Sequence, residues 1–449
     1  MAQGKRVRRR RRRRSALGGR LLGLLILVAL VVLALWGCHA LGGRDREEEA
    51  ESDGEEATVV TSALASDSVL ESDVESSSEP TAEPSSESEP EGEQEPETEP
   101  EAKPQPGSAR AKEVLAGMTL REKVCQMIMA QPSKLTGVSQ VTAAGETTRK
   151  ALERYPVGAI MYDTANMQSQ EQVRAMLQTT QSFSKIPLLL TCDEEGGRVG
   201  RLMKTVGTTR LEPMFTYKDQ GPEKAKANAR TLAKDLRSCG MNLDLAPVAD
   251  VWTNPNNTVI GDRAYSDDYQ QAAQLIPAAV AGFHQENVAC VIKHFPGHGS
   301  TTGDSHYGSA YVNKTLDQLR REDLIPFQAG IDAGADMVMM GHLIVPDIDP
   351  QPAVLSRKIV TGLLREEMGF DGVIITDALA MQAITDHYGK NEVVLKAVQA
   401  GVDMLLSPTD LDGAVNTLMK AVENGTISEE RIDQSVLRIL TLKERYGLL

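Results

Sequence analysis

Cysteine is scarce and unpatterned in this 449-residue chain. The five cysteines are Cys38, Cys125, Cys192, Cys239 and Cys290, and no two have C-x-x-C spacing. A disulfide framework or a cysteine-based zinc site is therefore disfavoured, and the four cysteines beyond residue 100 read as free core thiols. Signatures of three other chemistries are missing. There is no G-x-S-x-G nucleophile elbow, no H-E-x-x-H metal pair and no G-K-[ST] phosphate loop. A basic excess is also absent from most of the chain. Residues 1–44 carry 11 basic and no acidic side chains, residues 45–101 carry 22 acidic and one basic, and the remainder is close to neutral at −5. The one strongly basic block directly precedes an apolar run, so a nucleic-acid partner is disfavoured.

That basic block and apolar run read as topology. Lys5 to Arg14 holds nine basic residues, and from Leu21 to Gly43 no residue is charged. At 1.5 Å per residue such a run spans about 35 Å as a helix, enough for a hydrocarbon core of roughly 30 Å. Residues 1–20 are expected as a cytoplasmic tail and 21–43 as a single membrane anchor, with everything after it outside the cytoplasm. A cleaved signal peptide has the same order with a shorter apolar core, and Gly37-Cys38 would also suit lipidation at Cys38. Residues 44–106, rich in Glu, Ser and Pro, cannot bury enough apolar surface to offset ordering entropy and are expected to form a disordered linker. As a coil it would reach about 45 Å.

The remaining residues, 107–449, are expected to form one α/β domain. Short runs that are apolar on both parities, at 157–162, 187–193, 243–251, 290–295, 337–345, 373–379 and 404–407, alternate with amphipathic segments at 223–237, 269–285, 315–333 and 412–423. Strands covered on both faces have this pattern. Seven β-then-α units predict a (β/α)8 TIM-type barrel. No eighth strand is evident, which leaves an irregular barrel open. The spacing predicts a last helix with a Thr426/Glu429 capping box and an apolar stripe of Ile432, Val436, Ile439 and Leu440.

In such barrels chemistry sits where strands end. Here the strand ends carry Asp193-Glu194-Glu195-Gly196-Gly197-Arg198, Ile260-Gly261-Asp262-Arg263, Lys293-His294-Phe295-Pro296-Gly297-His298-Gly299, Gly341-His342 and Thr376-Asp377. His294 and His298 have i, i+4 spacing, but Pro296 and Gly297 between them oppose a helical metal pair, and no metal or cofactor is expected. Asp377 follows a rigid apolar strand, a good mount for a nucleophile. Asp304, two residues from His306, can orient its imidazole and raise its basicity. Lys293 and Arg263 can bind hydroxyls and keep Asp377 ionised.

These motifs resemble glycoside hydrolase family 3, specifically its single-domain β-N-acetylglucosaminidases. The likeness rests on residues 293–306, ending in Asp304-Ser305-His306, on 193–199, on Ala246-Pro247-Val248-Ala249-Asp250-Val251, on 260–263 and on Thr376-Asp377-Ala378-Leu379-Ala380-Met381. Ser300 departs from the usual Asp or Asn. The resemblance implies that Asp377 attacks the anomeric carbon. His306, tuned by Asp304, would serve as the acid/base, in a retaining two-step mechanism. It further implies that Asp193, Arg201, Arg263, Lys293 and His294 hold the sugar. The expected activity is exo-hydrolysis of terminal N-acetylglucosamine from cell-wall or chitin-derived glycans by a monomer. An N-acetylglucosaminide phosphorylase, a β-glucosidase and a non-catalytic wall-binding module are the alternatives. Aromatic residues are few, with six Phe, two Trp and nine Tyr. A long polysaccharide cleft would need several stacking platforms, so a short pocket is expected, with Tyr162 or Tyr265 available to stack.

Overall fold

The structure is a computed structural model that describes residues 107–301, 303 and 308–449. The expected tail, anchor and linker at 1–20, 21–43 and 44–106, and the candidate residues Asp304 and His306, lie outside the described residues. Among the described residues no helix is long and apolar enough to cross a membrane.

Eight parallel strands form a closed ring. They are β1 (Ile128–Ala130), β2 (Ala159–Met161), β3 (Leu189–Thr191), β4 (Leu243–Asp244), β5 (Ala289–Phe295), β6 (Met337–Met340), β7 (Val373–Thr376) and β8 (Leu405–Leu406). Ladders join β8 to β1, β1 to β2 and β2 to β3 on one side. On the other side they join β4 to β5, β5 to β6 and β6 to β7. Two seams close the ring. Asn242 and Leu245 donate backbone N–H groups to Leu190 and Cys192, and Thr376 donates to Met404 beside the Ile375–Met404 bridge. The ring is short-stranded because each strand is buried on both faces and ends as soon as the chain turns polar.

The eighth strand, β1, escaped the sequence reading for a local reason. It follows the helix Leu120–Gln126 after a single residue, so apolar residues 124–130 read as one helical stripe. That helix starts with a capping box between Thr119 and Glu122. Several other expectations are corrected. The run 337–345 is two strands: Leu343–Val345 leaves the barrel to pair with Ala310–Tyr311 and Asp349–Pro352. The run 243–251 is regular only at its start, since Pro247 has no N–H to donate, and it rejoins the ladder at the Val248–Lys293 bridge. The helix expected at 315–333 is two helices, Leu316–Arg321 and Leu324–Asp332. Pro326 cannot donate to Glu322, so one continuous helix would lose a bond there.

The last helix, Glu429–Arg445, is capped by Ser428 rather than by the expected box, and Thr426 bonds Asn424 instead. Its stripe of Ile432, Val436, Ile439 and Leu440 is fully buried. Its end is clasped by Asp336, which accepts from Tyr446 Oη at 2.6 Å, Arg445 Nη1 at 2.9 Å and Cys290 N–H at 3.1 Å. His284 completes this clasp, with Nε2 at 2.9 Å from Asp336. His284, Cys290 and Asp336 offer atoms within 4.8 Å of one another. The carboxylate is already taken by hydrogen bonds, so the group reads as a helix anchor. Cys125, Cys192, Cys239 and Cys290 are free and buried, as the sequence predicts.

Candidate active site

The C-terminal ends of the strands open into a cavity of about 490 Å³, within the usual range for small-molecule sites. Asp193, Arg201, Arg263, Lys293, His294 and Asp377 all line it, so these six candidates meet in one place. Tyr162 and Tyr265 do not join them. Both are buried in the core and offer no open ring face, which corrects the stacking expectation. Trp252 packs edge-on against Phe215, with ring centroids 5.0 Å apart.

Asp377 stands one residue past β7. Its backbone N–H is tied to Met340 O at 2.9 Å, and one side-chain oxygen accepts the Ala378 N–H at 2.7 Å. His342 bonds Ala378 O at 3.0 Å and steadies the same turn. Burial pushes the Asp377 carboxyl up. Nearby His294 and His342, the Ala378 N–H and Lys293 outweigh it and hold the group below the ordinary value of 3.8. Asp377 is therefore an anion at neutral pH and available as a nucleophile.

The same cavity holds a group of cations. Lys293 is buried, with Nζ 2.9 Å from Asp193 and 2.6 Å from Glu195. Arg263 forks onto Glu195 with bonds of 2.7 and 2.8 Å. Burial favours neutral Lys293, but Asp193 and Glu195 more than compensate and keep its ammonium charged. Burial likewise pushes the Glu195 carboxyl up, while Arg263 and Lys293 bring it far below 4.5. Arg201 reaches Asp193 and Asp163, each at 3.3 Å, from a more open position. The result is a polar wall of fixed donors and acceptors, suited to a polyhydroxylated ligand. Met161, Leu245, Met339 and Leu406 supply apolar lining.

His294 enters this wall through an irregularity in β5. The register with β6 slips between Lys293 and Phe295, so His294 is the extra residue of a bulge. A bulge re-aims a side chain, and here the neighbours Lys293 and His294 both line the cavity rather than pointing to opposite faces. His294 Nδ1 lies 2.6 Å from Asp250.

Four lining or supporting residues were missed as site residues, namely Glu195, Asp250, Arg198 and His298. Glu195 and Asp250 sit inside motifs visible in the chain, and an acid embedded in an apolar strand end was the available signal. Arg198 bonds Asp262 at 2.9 Å and the carbonyls of Thr258, Val259 and Ile260, which holds the loop that presents Arg263. His298 is buried, its Nδ1 2.7 Å from Thr301 Oγ1.

The family model described as the glycosyl hydrolase family 3 N terminal domain matches residues 119–442. The chain belongs to glycosyl hydrolase family 3. A protein of Pseudoalteromonas piscicida named beta-hexosaminidase A is 33% identical over 324 residues, covering 66% of this chain and 54% of its own length. This chain therefore spans about half of that relative. A beta-hexosaminidase of Nitrosomonas eutropha is 34% identical over 316 residues, covering 68% of this chain and 90% of its own. Among solved structures, a family 3 beta-N-acetylglucosaminidase from a Paenibacillus species superposes with a TM-score of 0.70 at 38% identity. It covers 74% of this chain and 63% of that one.

Proposed function

We propose that this chain is a retaining exo-β-N-acetylglucosaminidase that removes terminal N-acetylglucosamine from cell-wall or chitin-derived glycans. The observation that carries the reading is the ionised Asp377 facing Lys293, Arg263, Arg201, His294 and Asp193 across one cavity. The names of the relatives support the sugar.

In the first step an Asp377 oxygen forms a bond to the anomeric carbon as the glycosidic C–O bond breaks, and His306 gives its proton to the leaving oxygen. Asp304 orients His306 and stabilises its charged form. In the second step His306 takes a proton from water, whose oxygen replaces Asp377 at the same carbon. Inversion at each step yields net retention. Asp193, Arg201, Arg263, Lys293 and His294 hold the hydroxyls, and positioning supplies part of the rate. The roles of Asp304 and His306 rest on the sequence resemblance. Residues 21–43 anchor the chain in the cell membrane and residues 44–106 carry the catalytic domain, 107–449, away from it on the extracytoplasmic side.

The test is turnover of aryl glycosides by the full-length chain, in water and in phosphate. Release from N-acetyl-β-glucosaminides, with no acceleration by phosphate and no activity in Asp377→Ala, supports the reading. Undiminished turnover in Asp377→Ala ends it.

A further inference from the structure

Asp250 lies behind the cavity wall, fully buried, on the segment that follows β4. Its Oδ2 accepts the His294 backbone N–H at 3.1 Å and lies 2.6 Å from His294 Nδ1. Its Oδ1 accepts the His298 N–H at 2.6 Å. Burial pushes this carboxyl up, but His294 and the His298 N–H outweigh it and keep the group ionised. A carboxylate only accepts, so the ring nitrogen facing it must carry the proton. His294 Nδ1 is thereby committed, and Nε2 remains for the cavity.

His294 is the bulge residue of β5, with no ladder partner of its own to fix its backbone. Asp250 grips it twice, at the backbone and at the ring, and its second oxygen grips the chain four residues on. We infer that Asp250 is a positioning residue, which aims His294 at the sugar and fixes which of its ring nitrogens carries the proton. The inference rests on the glycosidase reading above. It adds an acid that touches neither substrate nor reacting atoms and acts through His294. The groups facing Asp377 are His294, Lys293, His342 and His298. Those facing Asp250 are His294, His298 and Arg263.

The experiment uses the full-length chain in detergent, with two readouts. In nitrogen-15 histidine-labelled wild type, His294 Nδ1 bears a proton across the neutral range. An Nδ1 without one overturns the inference, whether or not the chain is active. In kinetics, Asp250→Asn keeps the shape and removes the charge. It should lower kcat/KM by about 10- to 100-fold, the worth of a charge-assisted bond. In a His294→Gln background, Asp250→Asn should cost less than about twofold more, because the two act as one unit. Losses that multiply in the double variant would place Asp250 in the fold alone and overturn the proposal. A wild type that cleaves no aryl N-acetyl-β-glucosaminide overturns the proposed function, and the Nδ1 proton then decides the inference alone.

Discussion

Glu195→Gln separates the electrostatic design of the site from its shape. Glu195 is 4% exposed and receives three charge-assisted bonds of 2.6–2.8 Å, two from Arg263 and one from Lys293. Glutamine fills the same volume but carries no charge, and its amide turns an N–H toward one of the two cations. Arg263 would retain a bond to Val259 O at 3.1 Å and Lys293 its contact with Asp193. Uncoupling one side of a buried pair costs about 3–5 kcal/mol, a large part of a typical stability of about 5–15 kcal/mol. The unfolding midpoint should fall on the order of 10 °C. The pH dependence has a definite sign. Glu195 in the folded chain is held well below its ordinary 4.5. It therefore contributes stability that is fully present above that value and is lost as pH falls through the folded value. The difference between wild type and variant should be greatest at neutral pH and shrink in acid. Because Arg263 and Lys293 would lose their fixed positions, KM for an aryl glycoside should rise about tenfold or more, with a smaller change in kcat. Guanidinium unfolding at pH 7 and pH 4, with steady-state kinetics, reads all of this. A variant with unchanged KM and a midpoint equal to wild type at both pH values would refute the argument.

Other perturbations test other parts of the molecule. Lys443 is fully buried, bonded to Gln126 at 2.7 Å, and burial pushes its pKa from 10.5 down to about 7. The unfolded chain holds that proton between those values and the folded chain does not, so stability should rise with pH there by about 1.4 kcal/mol per unit. Lys443→Met should be more stable near pH 7 by a few kcal/mol, less the cost of leaving Gln126 Oε1 unpaired, and should lack that slope; parallel curves would contradict it. A Cβ on Gly299 would stand 1.8 Å from Val251 O, a backbone atom that cannot swing aside. Gly299→Ala should therefore cost about 1–3 kcal/mol of stability, read as a lowered unfolding midpoint, and depress activity. His306→Ala should lose much less activity on dinitrophenyl than on poor leaving groups, and equal losses would remove His306 as the acid. Full-length chain should pellet with membranes after an alkaline wash, and a chain starting at residue 44 should stay in the supernatant.

Burial on both faces of a strand leaves a mark in a linear chain, because every residue of the run must be apolar. That is why seven of the eight barrel strands were legible, along with the polar residues at their ends. The same logic failed where two elements abut, as at β1, and where proline cut a run, as at Pro247 and Pro326. The residues that line the cavity with Asp377 were also legible, since their motifs are contiguous. The sequence by itself determined the family, the α/β alternation and the residue types that gather at the barrel mouth. It did not determine which acid partners which cation. Glu195 meets Lys293 and Arg263, and Asp250 meets His294, across gaps of tens of residues. Those pairings depend on strand order, on the register of a closed ring and on one bulge in β5. Only the folded barrel sets these, because charges separated along the chain become a single electrostatic unit when burial excludes the water between them.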